Sequence, residues 1–245
     1  MEPLNGKVAI ITGAGKGIGK AVAIAYAKQG MSVCCIARTL SDIVSTVNEI
    51  KESGGNAMAI SCDVTNYENV KEVMQKAYER YGRIDLILVN AGTDTEKLPI
   101  DELDIAEWKR VMDVNLNGAF YTVKAAIPYL KRNGSGKIIT IGSGMGHKGR
   151  ADDSAYSCSK AGLWMLTRVL AQELSEYRIS VNELIPGPVI TDMGKDSMKD
   201  ERSAFSINGE WIKSPDDVTD LTIFLAGQPG AGPTAQSYSL MRRDL

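Results

Sequence analysis

Short, nearly unbroken apolar runs alternate with longer amphipathic stretches along the whole chain. The runs cover residues 7–12 (KVAIIT), 31–37, 57–62, 84–90, 136–142, 179–187 and 237–241. Rich in Val and Ile and bounded by glycine or polar residues, they predict strands buried on both faces. The intervening stretches, such as GIGKAVAIAYAKQG and NYENVKEVMQKAYERYG, carry the periodicity of helices. Regular alternation of the two, with right-handed crossovers, gives an α/β fold: a doubly wound parallel sheet of about seven strands with helices on both faces. Residues 1–245 read as one domain. Within it, the polar and poorly periodic segment 188–214 reads as a surface loop or a substrate lid.

Composition narrows the function classes. A formal net charge of −2 provides no field to draw nucleic acid or an anionic membrane surface, so neither is expected as a partner. The chain has a single histidine, His147, and its four cysteines (Cys34, Cys35, Cys62 and Cys158) show no CxxC spacing. No metal site is expected, and the cysteines read as free, buried thiols of a reducing compartment. Neither a leader-like segment nor a long apolar span is visible, which makes the expected location cytoplasmic.

The first strand runs into TGAGKGIG, residues 12–19, whose glycines Gly13, Gly17 and Gly19 have the spacing GxxxGxG, with Gly15 between them. A strand–turn–helix of this kind lets backbone approach a pyrophosphate and aims the N–H groups of a helix N-terminus at it. The second strand ends in Arg38 and Thr39, where an Asp or Glu would grip a ribose 2′-hydroxyl. Arg38, together with Lys16 in the turn, suits a 2′-phosphate instead, so NADP(H) is the expected cofactor.

Other polar and glycine residues fall at successive strand ends: Asp63, then Asn90, Ala91 and Gly92, then Ser143, then Pro186 and Gly187. These are the ends at which open α/β sheets bind ligands. Tyr156 and Lys160, four residues apart on a predicted helix, share a helix face. By themselves they are equally compatible with ordinary surface packing. Cys158, two residues on, points roughly the opposite way and reads as packing.

In this order, TGAGKGIG, CDV, NAG, VNLNGAF, IGS, YSCSK and PGPVIT resemble the short-chain dehydrogenase/reductase family over most of the chain. The resemblance implies a Rossmann-type sheet and a hydride-transfer site. It assigns Tyr156 as the catalytic acid, Ser143 as the hydroxyl that orients the carbonyl and Lys160 as the cation that lowers the tyrosine pKa. Asn115 becomes the fourth member, holding a water that links Lys160 to solvent. The implied cofactor contacts are Ile18 under the cofactor, Asp63 and Val64 at the adenine, Asn90 at the ribose and Thr191 at the nicotinamide carboxamide. Val189 and the turn and strand-end residues complete the set. A homotetramer acting on a small-molecule carbonyl substrate is implied as well.

The substrate is less legible. Met193, Met198, Phe205 and Trp211 in the 188–214 segment suit either an apolar pocket or packing of the segment on the body. Met145, His147, Lys148 and Arg150 fall near the expected pocket mouth, where Lys148 and Arg150 read either as partners of an anionic substrate group or, preferably because Asp152 and Asp153 follow closely, as solvated loop charges. The chain ends SYSLMRRDL, without the DGG-like motif usual in reductases of carrier-bound β-ketoacyl groups. An NADPH-dependent carbonyl reductase is therefore the leading reading. An alcohol dehydrogenase working oxidatively, or a nucleotide-sensing protein without catalysis, are the alternatives.

Overall fold

The computed structural model describes residues 1–194 and 204–243. Seven parallel strands form one sheet in the order β3-β2-β1-β4-β5-β6-β7. They are β1 (Val8–Thr12), β2 (Ser32–Ala37), β3 (Asn56–Ser61), β4 (Leu86–Val89), β5 (Gly136–Ile141), β6 (Ile179–Ile185) and β7 (Ser237–Ser239). Each lies inside, or within one residue of, an apolar run of the sequence. The strand order reverses between β1 and β4, which opens a crevice beyond their carboxyl ends.

Alternate residues of a strand face opposite sides of the sheet, so each apolar run feeds two cores. On one side, Ala9, Ile11, Val33, Cys35 and Leu88 share a core with helices α1 (Gly17–Lys28) and α2 (Leu40–Glu52) through Val22, Tyr26, Ile43 and Ile50. On the other, Ile10, Cys34, Ile36, Ile87 and Val181 meet α3 (Tyr67–Tyr81), α5 (Gly118–Arg132) and α7 (Ser154–Leu174) through Val73, Met74, Val123 and Leu163. Cys34 and Cys35 thus divide between the two cores, and Cys62 is also buried. Cys158 departs from the expectation. It is exposed, because the face of α7 opposite Tyr156 turns away from the sheet.

Helix α4 (Ile105–Met112) continues into α5 through a single π-helical turn, Asp113–Asn117. Such a turn inserts an extra residue into the helical repeat and re-aims a side chain, here that of Asn115. The short α6 (Met145–Lys148) follows β5, and α8 (Thr219–Ala226) precedes β7. No helix among the described residues is long and apolar enough to cross a membrane.

Candidate active site

The glycine turn assumes the shape its sequence requires. Gly17 opens α1 with φ of +52°, in the region that disfavours a Cβ, and a Cβ on Gly19 would collide with the Gly13 carbonyl. Thr12 fastens the turn to the end of β4, its hydroxyl accepting from the backbone N–H groups of Asn90 and Ala91 at 3.0 Å each. The Asn90 side-chain amide donates to the Thr12 and Gly13 carbonyls at 2.9 and 3.2 Å. Asn90 therefore shapes the floor of the crevice, a role its NAG context did not disclose.

The two expected phosphate-binding cations differ in setting. Arg38 is exposed at the end of β2, and its guanidinium makes no ion pair among the described residues. Lys16 is also exposed but lies 3.3 Å from Asp42 of α2, so its charge is partly compensated. Asp63 at the end of β3 accepts from the Thr65 amide and hydroxyl. Val64 is buried beside it, and Thr39 stands exposed at the start of α2.

A cavity of about 400 Å³ runs from the glycine turn over the ends of β4, β5 and β6. It is lined by Gly13, Lys16, Gly17 and Ile18 at one end and by Asn90, Ala91 and Gly92 at its middle. Ser143, Tyr156 and Lys160 line it further along, with Pro186, Gly187, Val189 and Thr191 opposite. Gly15, Gly19, Arg38, Thr39, Asp63, Val64 and Asn115 are not in its lining. The first six belong to the glycine turn and the ends of β2 and β3, and Asn115 sits behind the wall.

Tyr156 and Lys160 stand one turn apart in α7, with the Lys160 Nζ 5.6 Å from the Tyr156 ring centroid. That ammonium is buried and donates to the Ile141 carbonyl at 2.8 Å. Burial pulls it down to about 8, against the opposing influence of Glu183 and Asp94. Tyr156 behaves differently from the expectation that its neighbour would lower its pKa. Burial, and after it the Asp94 carboxylate, push the phenol well above its ordinary range, while a hydrogen bond from Ser143 only partly offsets them. The phenol therefore holds its proton at neutral pH, the form needed in a proton donor.

Asn115 is buried in the π turn. Its Oδ1 accepts from the Thr93 amide at 2.7 Å, and its Nδ2 donates to the Thr93 carbonyl at 2.9 Å and the Ser159 hydroxyl at 3.0 Å. It ties the loop after β4 to α7, and a Cβ on Gly92 would lie between its Oδ1 and the Lys160 Nζ. The four expected catalytic residues thus converge from β5, the π turn and α7.

Around them lie charges that the sequence reading placed in solvent. Asp153 is buried, and Arg150 lines the cavity together with Asp94 and Lys97. The Lys97 Nζ donates to both Asp94 oxygens at 2.6 Å and to Asp153 Oδ1 at 2.7 Å. The loop after β4 has no periodicity, so nothing in the sequence indicated that Asp94 and Lys97 face inward. His147 also turns in, its Nε2 2.9 Å from Glu183 Oε2, whereas Lys148 is exposed as expected.

In the 188–214 segment, Phe205 and Met193 line the cavity, Trp211 is partly exposed, and Met198 falls outside the described residues. The segment's two ends meet where Val189 pairs with Lys213. Lys213 is fully buried and donates to the Trp211 carbonyl at 2.6 Å. Met241 and Arg243, from the C-terminal stretch, close the far end of the cavity.

Comparison with known proteins agrees with this geometry. The family model for short chain dehydrogenases matches residues 7–202. A 3-oxoacyl-[acyl-carrier-protein] reductase from Synechocystis sp. is 33% identical over 98% of this chain and 97% of its own length. Glucose 1-dehydrogenase 2 of Bacillus subtilis is 34% identical over 82% of this chain and 78% of its own. A structure from Beutenbergia cavernae, described as an NAD(P)-dependent gluconate 5-dehydrogenase with bound NADP at low occupancy, superposes with a TM-score of 0.88. It is 31% identical and covers 97% of this chain and 96% of its own. A site of Asn, Ser, Tyr and Lys beside a glycine turn, on this sheet and with these relatives, leads to one conclusion: the chain belongs to the short-chain dehydrogenase family, oxidoreductases that use a nicotinamide cofactor.

Proposed function

We propose that this chain is an NADPH-dependent reductase that converts a ketone or related carbonyl to a secondary alcohol. The observation that carries the proposal is the position of Tyr156: one turn from Lys160 and, with Ser143, in the same cavity as the glycine turn. The residues present fit a dinucleotide, because the helix N-terminus at Gly17 opens into that cavity, which Gly13, Lys16 and Ile18 also line. Gly13, Gly15, Gly17, Ile18 and Gly19 would hold the pyrophosphate side, and Asp63, Val64 and Asn90 the adenosine side. Ala91, Gly92, Pro186, Gly187, Val189 and Thr191 would hold the nicotinamide side. Arg38, with no carboxylate partner among the described residues, favours a 2′-phosphate, and Lys16 adds to it less than expected because Asp42 competes for its charge.

When bound, reduced nicotinamide supplies the hydride. Tyr156 gives its proton to the developing alkoxide, and Ser143 donates a hydrogen bond to the same oxygen as charge grows there. Lys160, next to the phenol and ready to exchange a proton near neutrality, favours the phenolate that remains. Asn115 positions the loop after β4 against α7 and would hold a water that links Lys160 to solvent.

The same site serves the oxidative direction as well, and the assembled tetrad counts against a purely sensing role. Segment 188–214 is proposed as a substrate lid, since Phe205 and Met193 wall the cavity. A homotetramer is proposed on the exposed apolar residues Phe120, Met165 and Val169 of α5 and α7. A cytoplasmic location agrees with four cysteines that form no disulfide.

The test is NADPH oxidation, followed by absorbance, over a panel of ketones, β-ketoesters and acyl thioesters, with NADH as control. Turnover that prefers NADPH and requires Tyr156 is expected. NADPH binding without turnover of any carbonyl would move the reading to a sensing role, and a failure to bind either dinucleotide would overturn it.

A further inference from the structure

The wall of the cavity facing Tyr156 carries Asp94, Lys97, Arg150 and Asp153. The Lys97 Nζ lies 2.6 Å from both Asp94 oxygens and 2.7 Å from Asp153 Oδ1, so two carboxylates share its charge. Asp94 accepts from Lys97 at both oxygens and from the Thr95 amide at 2.8 Å, which leaves about one of a carboxylate's roughly four acceptor sites open. Arg150 lies on the same wall and acts electrostatically on Asp153. Two carboxylates thus face two cations, and the charge of Lys97 is already shared between both carboxylates.

The wall is rigidly held. Arg110 donates to the Asp94 carbonyl at 2.7 Å and to the Thr93 hydroxyl at 2.6 Å, while its guanidinium is paired with Glu107. It also lies close to the chemistry: the Lys97 Nζ is 5.3 Å from the Tyr156 ring centroid, and the Asp94 charge acts on both Tyr156 and Lys160.

From this shared charge and the open Asp94 acceptor, and building on the reductase reading above, we infer that the substrate is a neutral hydroxy ketone whose hydroxyl donates to Asp94. A substrate carboxylate would meet the Asp94 oxygens rather than a free ammonium, in a partly buried site where like charges repel strongly. A plain ketone would leave the open acceptor of Asp94 unpaired, which costs affinity. Asp94, Lys97 and Asp153 thereby become specificity-determining residues.

The test compares three substrates of one carbon skeleton with NADPH: ethyl methyl ketone, ethyl hydroxymethyl ketone and the corresponding α-keto acid. For the natural sequence, kcat/KM for the hydroxymethyl ketone should exceed that for the methyl ketone by about tenfold or more, with the keto acid lowest. Asp94→Asn releases a Lys97 donor and removes a negative charge. It should shrink the hydroxyl preference severalfold and raise the keto acid about tenfold. Asp153→Asn, which disturbs the same clamp from α7's side, should move both ratios in the same direction. A hydroxyl preference unchanged in both variants, or a keto acid preferred by the natural sequence, overturns the inference.

If none of the three is turned over, the wider carbonyl panel decides the reductase reading. The inference is then decided by saturation-transfer NMR with NADPH present, comparing the matching diol with the α-hydroxy acid. Stronger diol binding that reverses in Asp94→Asn upholds it; the absence of such a reversal overturns it.

Discussion

Lys137 and Lys160 occupy opposite ends of the same sheet, and burial pulls both ammonium groups down to about 8. Lys137 enters β5 at its amino end, where its Nζ donates to the Ser180 hydroxyl at 3.2 Å and the Pro229 carbonyl at 2.7 Å. Lys160 sits beyond the carboxyl end of that strand, bonded to the Ile141 carbonyl and facing a cavity with a tyrosine and a serine. A perturbed pKa therefore does not identify a catalytic group. What separates the two lysines is the company each keeps: Lys137 completes the hydrogen bonding of a turn, and Lys160 stands next to Tyr156 in the cavity at the carboxyl ends of the strands.

The contrast can be broken most forcefully at the Lys160 end. Tyr156→Phe should lower kcat by about 10² to 10⁴, the range for loss of a general acid, while fluorescence titration still registers NADPH binding. Near-normal turnover would remove the mechanism. Lys160→Met should cost about a hundredfold in kcat, whereas Lys137→Met should leave kcat within about twofold. Equal losses would mean that the two ends are not functionally distinct. At the same functional edge, Arg38→Asp should shift the ratio of NADPH to NADH efficiency by about tenfold to a hundredfold toward NADH. Steady-state kinetics with both cofactors decides it.

The smallest effect concerns pH and involves both lysines alike. With folded values near 8 and ordinary values of 10.5, each imposes a penalty that is fully present below about 8 and relieved as pH rises toward 10.5. The buried acids act the other way. Cys35 and Cys62 are pushed up to about 12 and about 11 from 9.0, and Tyr81 to about 12 from 10.0. Burial also raises Cys34, Tyr26 and Tyr156. Once the unfolded chain begins to lose those protons, stability falls with pH. Thermal unfolding should show Tm climbing gently to about pH 9 and then declining. In Lys137→Met the climb should roughly halve, because one of the two lysines responsible for it is gone.

How much of this could be read in advance differs by region. The central strands were legible because a two-faced buried strand must be apolar throughout; β3 and β7, at the sheet edges, are only partly buried, contrary to the expectation, and were legible from shorter apolar runs. The glycine turn was legible because its backbone tolerates no substitute. The tetrad was found through its resemblance to a family; spacing alone supported only the proximity of Tyr156 and Lys160. The exposure of Cys158 and the inward turn of His147 went unread, since both depend on what packs against a helix rather than on the helix itself. Asp94, Lys97 and Asp153 were not recognised as a unit because 56 residues separate Lys97 from its second carboxylate.

The sequence by itself determined the alternation of strand and helix, the parallel sheet and the place of the nucleotide turn, because each follows from local periodicity or from a backbone that only glycine permits. Tertiary structure alone decided which charges face the cavity, that burial and the Asp94 carboxylate raise the Tyr156 phenol, and that Lys97 is held by two carboxylates. Those properties arise from distances between residues remote in the chain and from the exclusion of water around them, and neither is encoded within any short stretch.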